Sequence, residues 1–480
     1  MSIETVSHEY GKTAGPDVSG PSSLPLAGVR VVDLSQIAAG PYGTSLLGDL
    51  GADVIKVEPP EGDSFRDLDD AFGAGQSGYF FGVNRSKRSI ALDLKSAGGY
   101  AVLTRLIRTA DVVVVAFRPG ALKRLRIDYD TLRELNPRLV YASITAFGEA
   151  GPRADQPGMD ILAQALSGMM GMTGEAGRGP VKVGAPIADF IASFLTGYGV
   201  CAALLLRERT GVGDKISVSL TDGLLAAFAN YLTVYDKLRV SFRRQGGSHP
   251  QIVPYQPFLG SDGKYFILAC LNDKFWQMLL PMLDEYGDFR EDRFLTNIGR
   301  IEHRDELCGR LQAIFGQRPA GYWLERLEAS GVPCGPINEL EDALADPQVL
   351  ANEAVTHLEH PVHGRYLVPN NPIRFTAAPT GPRGYAPGLG EHTAQILGEL
   401  GYPAEEVERL FSTGAVRSVD HDPPVRGETP ARRNSDLTSE FTAVAQPVSL
   451  TGDQQVAFPM VHARTAGSNG RGHQDENPDR

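Results

Sequence analysis

Two aspartates stand where a carboxylate can do more than carry surface charge. Asp189 follows Val183-Gly184-Ala185-Pro186-Ile187-Ala188 at the start of an apolar helical stretch, and Asp160 follows Pro157-Gly158-Met159 at the head of another. An aspartate there ordinarily caps the helix by accepting a backbone N–H. The same N–H groups and the helix dipole favour the ionised carboxylate, which can act as a nucleophile. The residues alone leave both uses open. A second feature is basic: from Asn84 to Arg126, Arg85, Lys87, Arg88, Lys95, Arg105, Arg108, Arg118, Lys123, Arg124 and Arg126 face only Asp93 and Asp111. Arg105 and Arg108 have the spacing of a solvated helix face. Lys87, Arg88, Lys95, Arg118 and Arg124 fall beside expected strand ends and turns, where open α/β sheets place ligand crevices, which fits a phosphate-bearing ligand.

Gly40-x-x-Gly43 after an expected strand, with Glu58 ending the next one, offers dinucleotide binding as a third chemistry. Ala38-Ala39 stands where that fingerprint needs its first glycine, and Pro41 sits inside the turn, so a plain tight βα turn is the competing expectation. Cys201, Cys270, Cys308 and Cys334 have neither a CxxC nor a zinc-ligand spacing. They are expected as packing thiols of a reducing compartment. His249 and the group His357, His360 and His363 beside Pro361 are expected as structural or solvated histidines, and no metal is expected.

The elements that must hold these residues follow from periodicity. Val29 to Leu34 is a β-branched run, Gly40-Pro41-Tyr42-Gly43 is expected to break it, and Thr44 to Leu50 can form a short helix before the strand Ala52 to Val57. The alternation continues with strand Ser89 to Leu94, helix Gly98 to Thr109, strand Asp111 to Phe117, helix Tyr129 to Asn136 and strand Leu139 to Ile144. Repeated βαβ units predict a doubly wound, Rossmann-like α/β domain with a parallel sheet. Helices are expected at Asp160 to Met172, Asp189 to Arg209 and Thr221 to Lys237, with a strand at Lys215 to Leu220. Asp262-Gly263 between Phe258-Leu259 and Tyr265 to Ala269 predicts a hairpin in a smaller α+β domain, with helices Asp273 to Leu283 and Glu302 to Phe315. Pro361 to Phe375 reads as strand-like and His392 to Leu400 as helical. The expected organisation is therefore a flexible 1–23, a large α/β ligand-binding domain over 24–220, a linker helix over 221–245, the small domain over 246–344, a return to the large domain over 345–415, and a disordered tail over 416–480, where Pro, Gly, Ser and charged residues dominate.

The chain has 480 residues, 42% hydrophobic and 22% charged, so it can bury sizeable cores. Its net charge of −12 argues against a dedicated nucleic-acid binder, and an anionic ligand must find a local basic site. The continuous apolar runs, such as Val112 to Phe117 and Val200 to Leu206, fall short of the roughly 18 residues a bilayer span needs. With no secretory apolar core among the first residues, a cytoplasmic protein without a membrane partner is expected.

In their order along the chain, Leu26 to Leu34, AAGPYGTSLLGDLGADVIKVEPPEGD (38–63), NRSKRSIALDLK (84–95), ADVVVVAFRPG (110–120), NPRLVYASITAFG (136–148), PGMDILAQALSG (157–168), the stretch around Asp189, SGVPCGPIN (330–338) and LGEHT (389–393) resemble the class III CoA-transferases, over roughly Leu24 to Tyr402. That family includes formyl-CoA transferase, carnitine CoA-transferase and α-methylacyl-CoA racemase. The resemblance implies an interlocked, ring-like homodimer with acyl-CoA and carboxylic acid substrates and no permanently bound cofactor. It implies Asp189 as a nucleophile that forms an aspartyl acyl anhydride and then an aspartyl-CoA thioester, with Asp160 ancillary. It places CoA against Ala38, Ala39, the segment Leu92, Asp93, Leu94 and Lys95, the turn Ala116, Phe117 and Arg118, and Arg124. It assigns Gln245, Gly246 and Gly247 to a mobile loop over the acyl group, where N–H groups can stabilise an oxyanion. Arg243, Arg244, His249 and Gln251 near that loop could receive the second carboxylate of a donor such as succinyl-CoA.

Departures narrow the reading. Formyl-CoA transferase has a glutamine at the position of Ala38 and an arginine at that of Pro59, which argues against formyl and oxalate substrates. Racemases of the family read Gly-His-Asp where this chain has Gly158-Met159-Asp160, and Met159 cannot exchange a proton. Besides a racemase, the alternatives are an NAD-dependent oxidoreductase using Gly40, Gly43 and Glu58, and a CoA-binding homologue without catalysis.

Overall fold

A computed structural model describes residues 23–73 and 76–418. The expected flexible 1–23 and tail 416–480 lie outside the described residues, apart from Ser23 and Val416 to Ser418. The β-branched runs form strands β1 (Arg30–Asp33), β2 (Asp53–Glu58), β3 (Lys87–Leu92), β4 (Val112–Val115), β5 (Val140–Thr145) and β6 (Lys215–Ser219). They pair in parallel in the order β3-β2-β1-β4-β5-β6. Apolar side chains on both faces, such as Val31 and Val32 or Val112 and Val113, are buried, as a sheet covered by helices on each side requires. The strand order reverses between β1 and β4, where such sheets open a crevice at their carboxyl ends.

Several helices differ from the expected ones. The first is Ala39–Asp49, so Gly40-Pro41-Tyr42-Gly43 lies inside it rather than breaking the chain. Pro41 is its third residue, where no intrahelical partner awaits the missing N–H. The stretch from Asp160 divides at Gly168 (φ 93°) into Asp160–Ser167 and Met169–Met172, and the stretch from Thr221 becomes Leu220–Ala226 and Ala229–Leu238. The helix Ile187–Thr210 has 24 residues and is long and apolar enough to cross a membrane by length and composition. Ser193 and Thr196 interrupt its apolar runs, which is why run length understated it. In the fold it packs on helix Ala39–Asp49 and on β5 and β6.

A second core forms around Trp276, Phe258, Phe266, Phe315 and Trp323. It joins the antiparallel strands β7 (Tyr255–Leu259), β8 (Tyr265–Ala269) and β9 (Cys334–Pro336) to helices Asp273–Leu283, Arg304–Phe315 and Ala320–Ala329. The expected strand over Pro361 to Phe375 is an antiparallel hairpin, β10 (Val355–His360) and β11 (Gly364–Pro369). The chain then returns to the large sheet. Helix Thr393–Glu399 packs against β3, and β12 (Val416–Arg417), assigned to the tail by composition, pairs antiparallel with β3 and closes that edge.

Candidate active site

Asp189 is the third residue of helix Ile187–Thr210, whose N-cap position is Pro186. It is therefore not the cap that its place at the start of the apolar stretch suggests. Asp160 takes that task from the neighbouring helix: its Oδ1 accepts the Ala188 N–H at 2.7 Å. Its Oδ2 accepts from Gln164 Nε2 at 2.6 Å, and the buried Gln164 accepts the Val183 N–H at 2.9 Å, fixing the chain that enters the Asp189 helix. No hydrogen bond reaches either Asp189 carboxylate oxygen from the described residues. Burial, and then the charge of Asp160, push the Asp189 carboxyl up from 3.8 to about 7. The helix head was expected to favour the ionised form; here burial and a second carboxylate outweigh it.

The Asp189 helix is locked to the switch point of the sheet. Ser193 Oγ lies 2.7 Å from the Ala39 carbonyl and 2.9 Å from that of Asp189. A Cβ on Gly43 would come 3.0 Å from the Ser193 carbonyl oxygen, so glycine permits the close crossing. The turn before Ala38 carries Ile37 in the left-handed region at φ 71°, a strained conformation for a β-branched residue. Asp63 holds it by accepting the Ile37 N–H, and is itself held by the fully buried Lys56 at 2.8 Å.

The carboxyl ends of the strands gather most of the expected CoA positions at one edge. Ala38 and Ala39 follow β1, Leu92 to Lys95 end and follow β3, and Ala116 to Arg118 follow β4 into helix Pro119–Leu125, which carries Arg124. Ala38, Ala39 and Leu92 are buried; Lys95, Arg118 and Arg124 are exposed. Lys87 and Arg88 do not join this edge. The buried Lys87 donates to Asp33 at 2.9 Å and is pulled down to about 8 by burial, while Arg88 pairs with Asp53 and Glu399. Charge counting could not see these partners.

Gln245, Gly246 and Gly247 lie beside the loop that leads to the Asp189 helix. The Gly246 N–H donates to the Gly174 carbonyl at 2.9 Å, which engages one expected oxyanion donor and leaves Gln245 and Gly247 as the loop's candidates. Gly246 (φ 62°) approaches the Glu175 carboxylate too closely for any Cβ. Arg244 packs on Gly174, and His249 lies edge-on to Tyr255.

The dinucleotide reading fails on the glycines' surroundings. Gly40 sits inside the helix, where a Cβ would fall 2.1 Å from Ser35 Oγ. Glu58 is buried and doubly bonded to Arg66 at 2.7 and 2.8 Å, so it is not available to a ribose. Met159 is exposed beside Asp160 and supplies no acid or base. Among the described residues no group of three or more His, Cys, Asp or Glu side chains is placed to hold a metal, and the four cysteines are free thiols. Gln164 was missed in the sequence: its i, i+4 spacing from Asp160 on one helix was the available signal, while its other partner, the Val183 N–H, reaches it only through tertiary packing.

Residues 26–393 match CoA-transferase family III. The chain is 38% identical over 397 residues to the succinate–glutarate CoA-transferase of Agrobacterium fabrum, covering 80% of this chain and 97% of that protein. It is 36% identical over 407 residues to the succinyl-CoA:glutarate CoA-transferase of Mus musculus, covering 84% and 93%. Among solved structures it is similar to a CAIB/BAIF family protein from Brucella suis, with a TM-score of 0.71, 38% identity, and coverage of 78% of this chain and 99% of that one.

Proposed function

The chain belongs to CoA-transferase family III and moves coenzyme A between an acyl-CoA and a carboxylic acid; from this premise we propose that Asp189 is the nucleophile and succinyl-CoA the donor. The observation that carries the nucleophile is the Asp189 carboxylate at a helix head, relieved of capping by Asp160 and given no hydrogen bond by the described residues. A carboxylate of raised basicity, ionised near neutral pH, suits attack on a thioester.

In this reading an Asp189 oxygen attacks the thioester carbonyl, the C–S bond breaks, and CoA leaves as thiolate. The thiolate attacks the aspartyl carbonyl and expels the donor acid as a carboxylate, leaving aspartyl-CoA. The acceptor carboxylate attacks that thioester and releases CoA thiolate again, which takes the new acyl group from the second anhydride and frees Asp189. The Gly247 N–H faces the developing oxyanion, while Leu92 to Lys95, Ala116 to Arg118 and Arg124 hold CoA. The residues 24–220 and 345–415 then form the CoA-binding domain, and 246–344 carry the acyl-site loop. Succinyl-CoA rests on the two relatives named for succinyl or succinate and glutarate, and on Arg243 and Arg244 near the loop as partners for a distal carboxylate. An interlocked homodimer working in the cytoplasm, with no permanently bound cofactor, completes the proposal.

Incubation with succinyl-CoA and hydroxylamine, followed by peptide mapping, is expected to leave a hydroxamate at Asp189. Asp189→Ala should carry none and lose turnover by at least about three orders of magnitude, as removal of a nucleophile does. A variant that keeps wild-type turnover would remove Asp189 from the mechanism.

A further inference from the structure

Nucleophile position is set from outside the Asp189 helix. Pro186 at the N-cap has no side-chain acceptor to offer, so the second N–H of the helix, that of Ala188, would be orphaned if Asp160 did not accept it. An aspartate at the third helical position can fold back onto such N–H groups; here the place is taken. Gln164 closes the arrangement. It is fully buried, donates to the second Asp160 oxygen and accepts the Val183 N–H, so one amide fixes both the Asp160 carboxylate and the strand of chain that feeds the helix.

We propose that Asp160 and Gln164 form the positioning pair of the nucleophile: Asp160 caps the helix in place of Asp189 and sets its charge against the Asp189 carboxylate, and Gln164 holds Asp160 in register. The inference rests on Asp189 being the nucleophile.

Other charges near the Asp189 helix are placed differently. The preceding loop carries Glu175, Arg178 and Lys182, and Lys182 Nζ is turned to the Val183 and Gly184 carbonyls. On helix Leu220–Ala226 the only charge is Asp222, which is exposed, and on helix Ala39–Asp49 it is Asp49, bonded to Arg85 at the far end. Lys215 on β6 pairs with Glu149, and Arg207 near the far end of the Asp189 helix pairs with Asp111. Among the described residues, Asp160 is the charge that, after burial, raises Asp189.

The test compares pH profiles of kcat/KM for wild type, Asp160→Asn, Asp160→Glu and Gln164→Leu, with hydroxylamine trapping at Asp189 run in parallel. Asp160→Asn keeps an oxygen for the Ala188 N–H and removes the charge. It should move the acid limb down by about one pH unit and lower kcat above that limb roughly tenfold, because a less basic carboxylate is a weaker nucleophile. Asp160→Glu keeps the charge and should hold the acid limb near the wild-type position while losing kcat through geometry. Gln164→Leu should lower kcat about tenfold with little change in KM. An acid limb that stays fixed in Asp160→Asn, with the Asp189 hydroxamate still forming, would overturn the positioning pair and leave the nucleophile standing. Absence of the hydroxamate in the wild type would instead bring down the nucleophile and this inference with it. If Asp160→Asn fails to fold, Asp160→Glu and Gln164→Leu decide: wild-type kcat in both overturns the proposal.

Discussion

A carboxyl held near 7 in the folded chain and near 3.8 in the unfolded one binds more protons folded than unfolded between those values. Stability contributed by that site is therefore present at acid pH and lost as pH rises toward 7, with the full cost above it. Asp189→Asn removes the titration, so its melting temperature should exceed that of the wild type at pH 8 and converge with it near pH 4. The unfolding free energies at pH 8 should differ by about 1–2 kcal/mol once partial solvent access is allowed for. Equal melting temperatures at pH 8 would mean that Asp189 carries no such strain. With Asp189 as the proposed nucleophile, activity should run the other way, the ionised form being the attacking one: kcat/KM should fall tenfold per unit below about pH 7. At this scale the chain's motifs pointed to Asp189 and to the expected CoA positions, because they sit in local patterns. Its relief from capping was not legible, since Asp160 reaches it from another helix, and Lys87 and Arg88 read as ligand cations because their carboxylate partners are distant in sequence.

Helix crossings decide how firmly the Asp189 helix is seated. Helix Ala39–Asp49 lies against it at Gly43, whose Cβ would meet the Ser193 backbone, and against β1 at Gly40, whose Cβ would enter the Ser35 hydroxyl that serves Asp33. Backbone cannot give way as a flexible side chain can, so Gly43→Ala should cost about 1–3 kcal/mol. Gly82→Ala, on the short helix Gly78–Val83, is the control: nothing lies within 4 Å of its Cβ, and the gain in helix propensity should leave stability equal or up to about 1 kcal/mol higher. Urea melts in which the two variants match would dismiss the crossing as the reason for glycine there. Strands of the parallel sheet were readable as β-branched runs because burial on both faces leaves no polar alternation to confuse them. The start at Ala39 was not, since Gly-Pro-x-Gly is turn chemistry until tertiary contact favours a helix. The breaks at Gly168 and after Ala226 were hidden for the same reason, each segment being apolar enough to continue.

Clusters of apolar side chains on both faces of the large sheet and in the smaller domain make up most of the buried interior, but several helices near the site leave large apolar side chains outside them. Ile161, Leu162 and Leu166 are exposed on helix Asp160–Ser167, Phe194, Tyr198, Leu205 and Leu206 on the helix packed against it, and Leu232, Tyr235 and Leu238 on helix Ala229–Leu238. Scattered exposed leucines are ordinary, whereas this concentration marks a surface to be covered. The length and hydropathy of helix Ile187–Thr210 would also suit a bilayer. Insertion, however, would strip the helix from β5, β6 and helix Ala39–Asp49 and carry Arg207 and Asp189 into hydrocarbon. A second copy would cover the same face without unfolding anything, in keeping with the homodimer proposed above. Sedimentation equilibrium at micromolar concentration should give about twice the 51.7 kDa chain mass. Tyr198→Asp with Leu205→Glu places charge on that face and should shift the equilibrium to monomer, with CoA transfer lost in proportion because the exposed face lies on the helix that carries Asp189. A wild type that sediments as a fully active monomer would refute the dimer, and vesicle flotation of the same monomer would then turn the apolar face toward lipid.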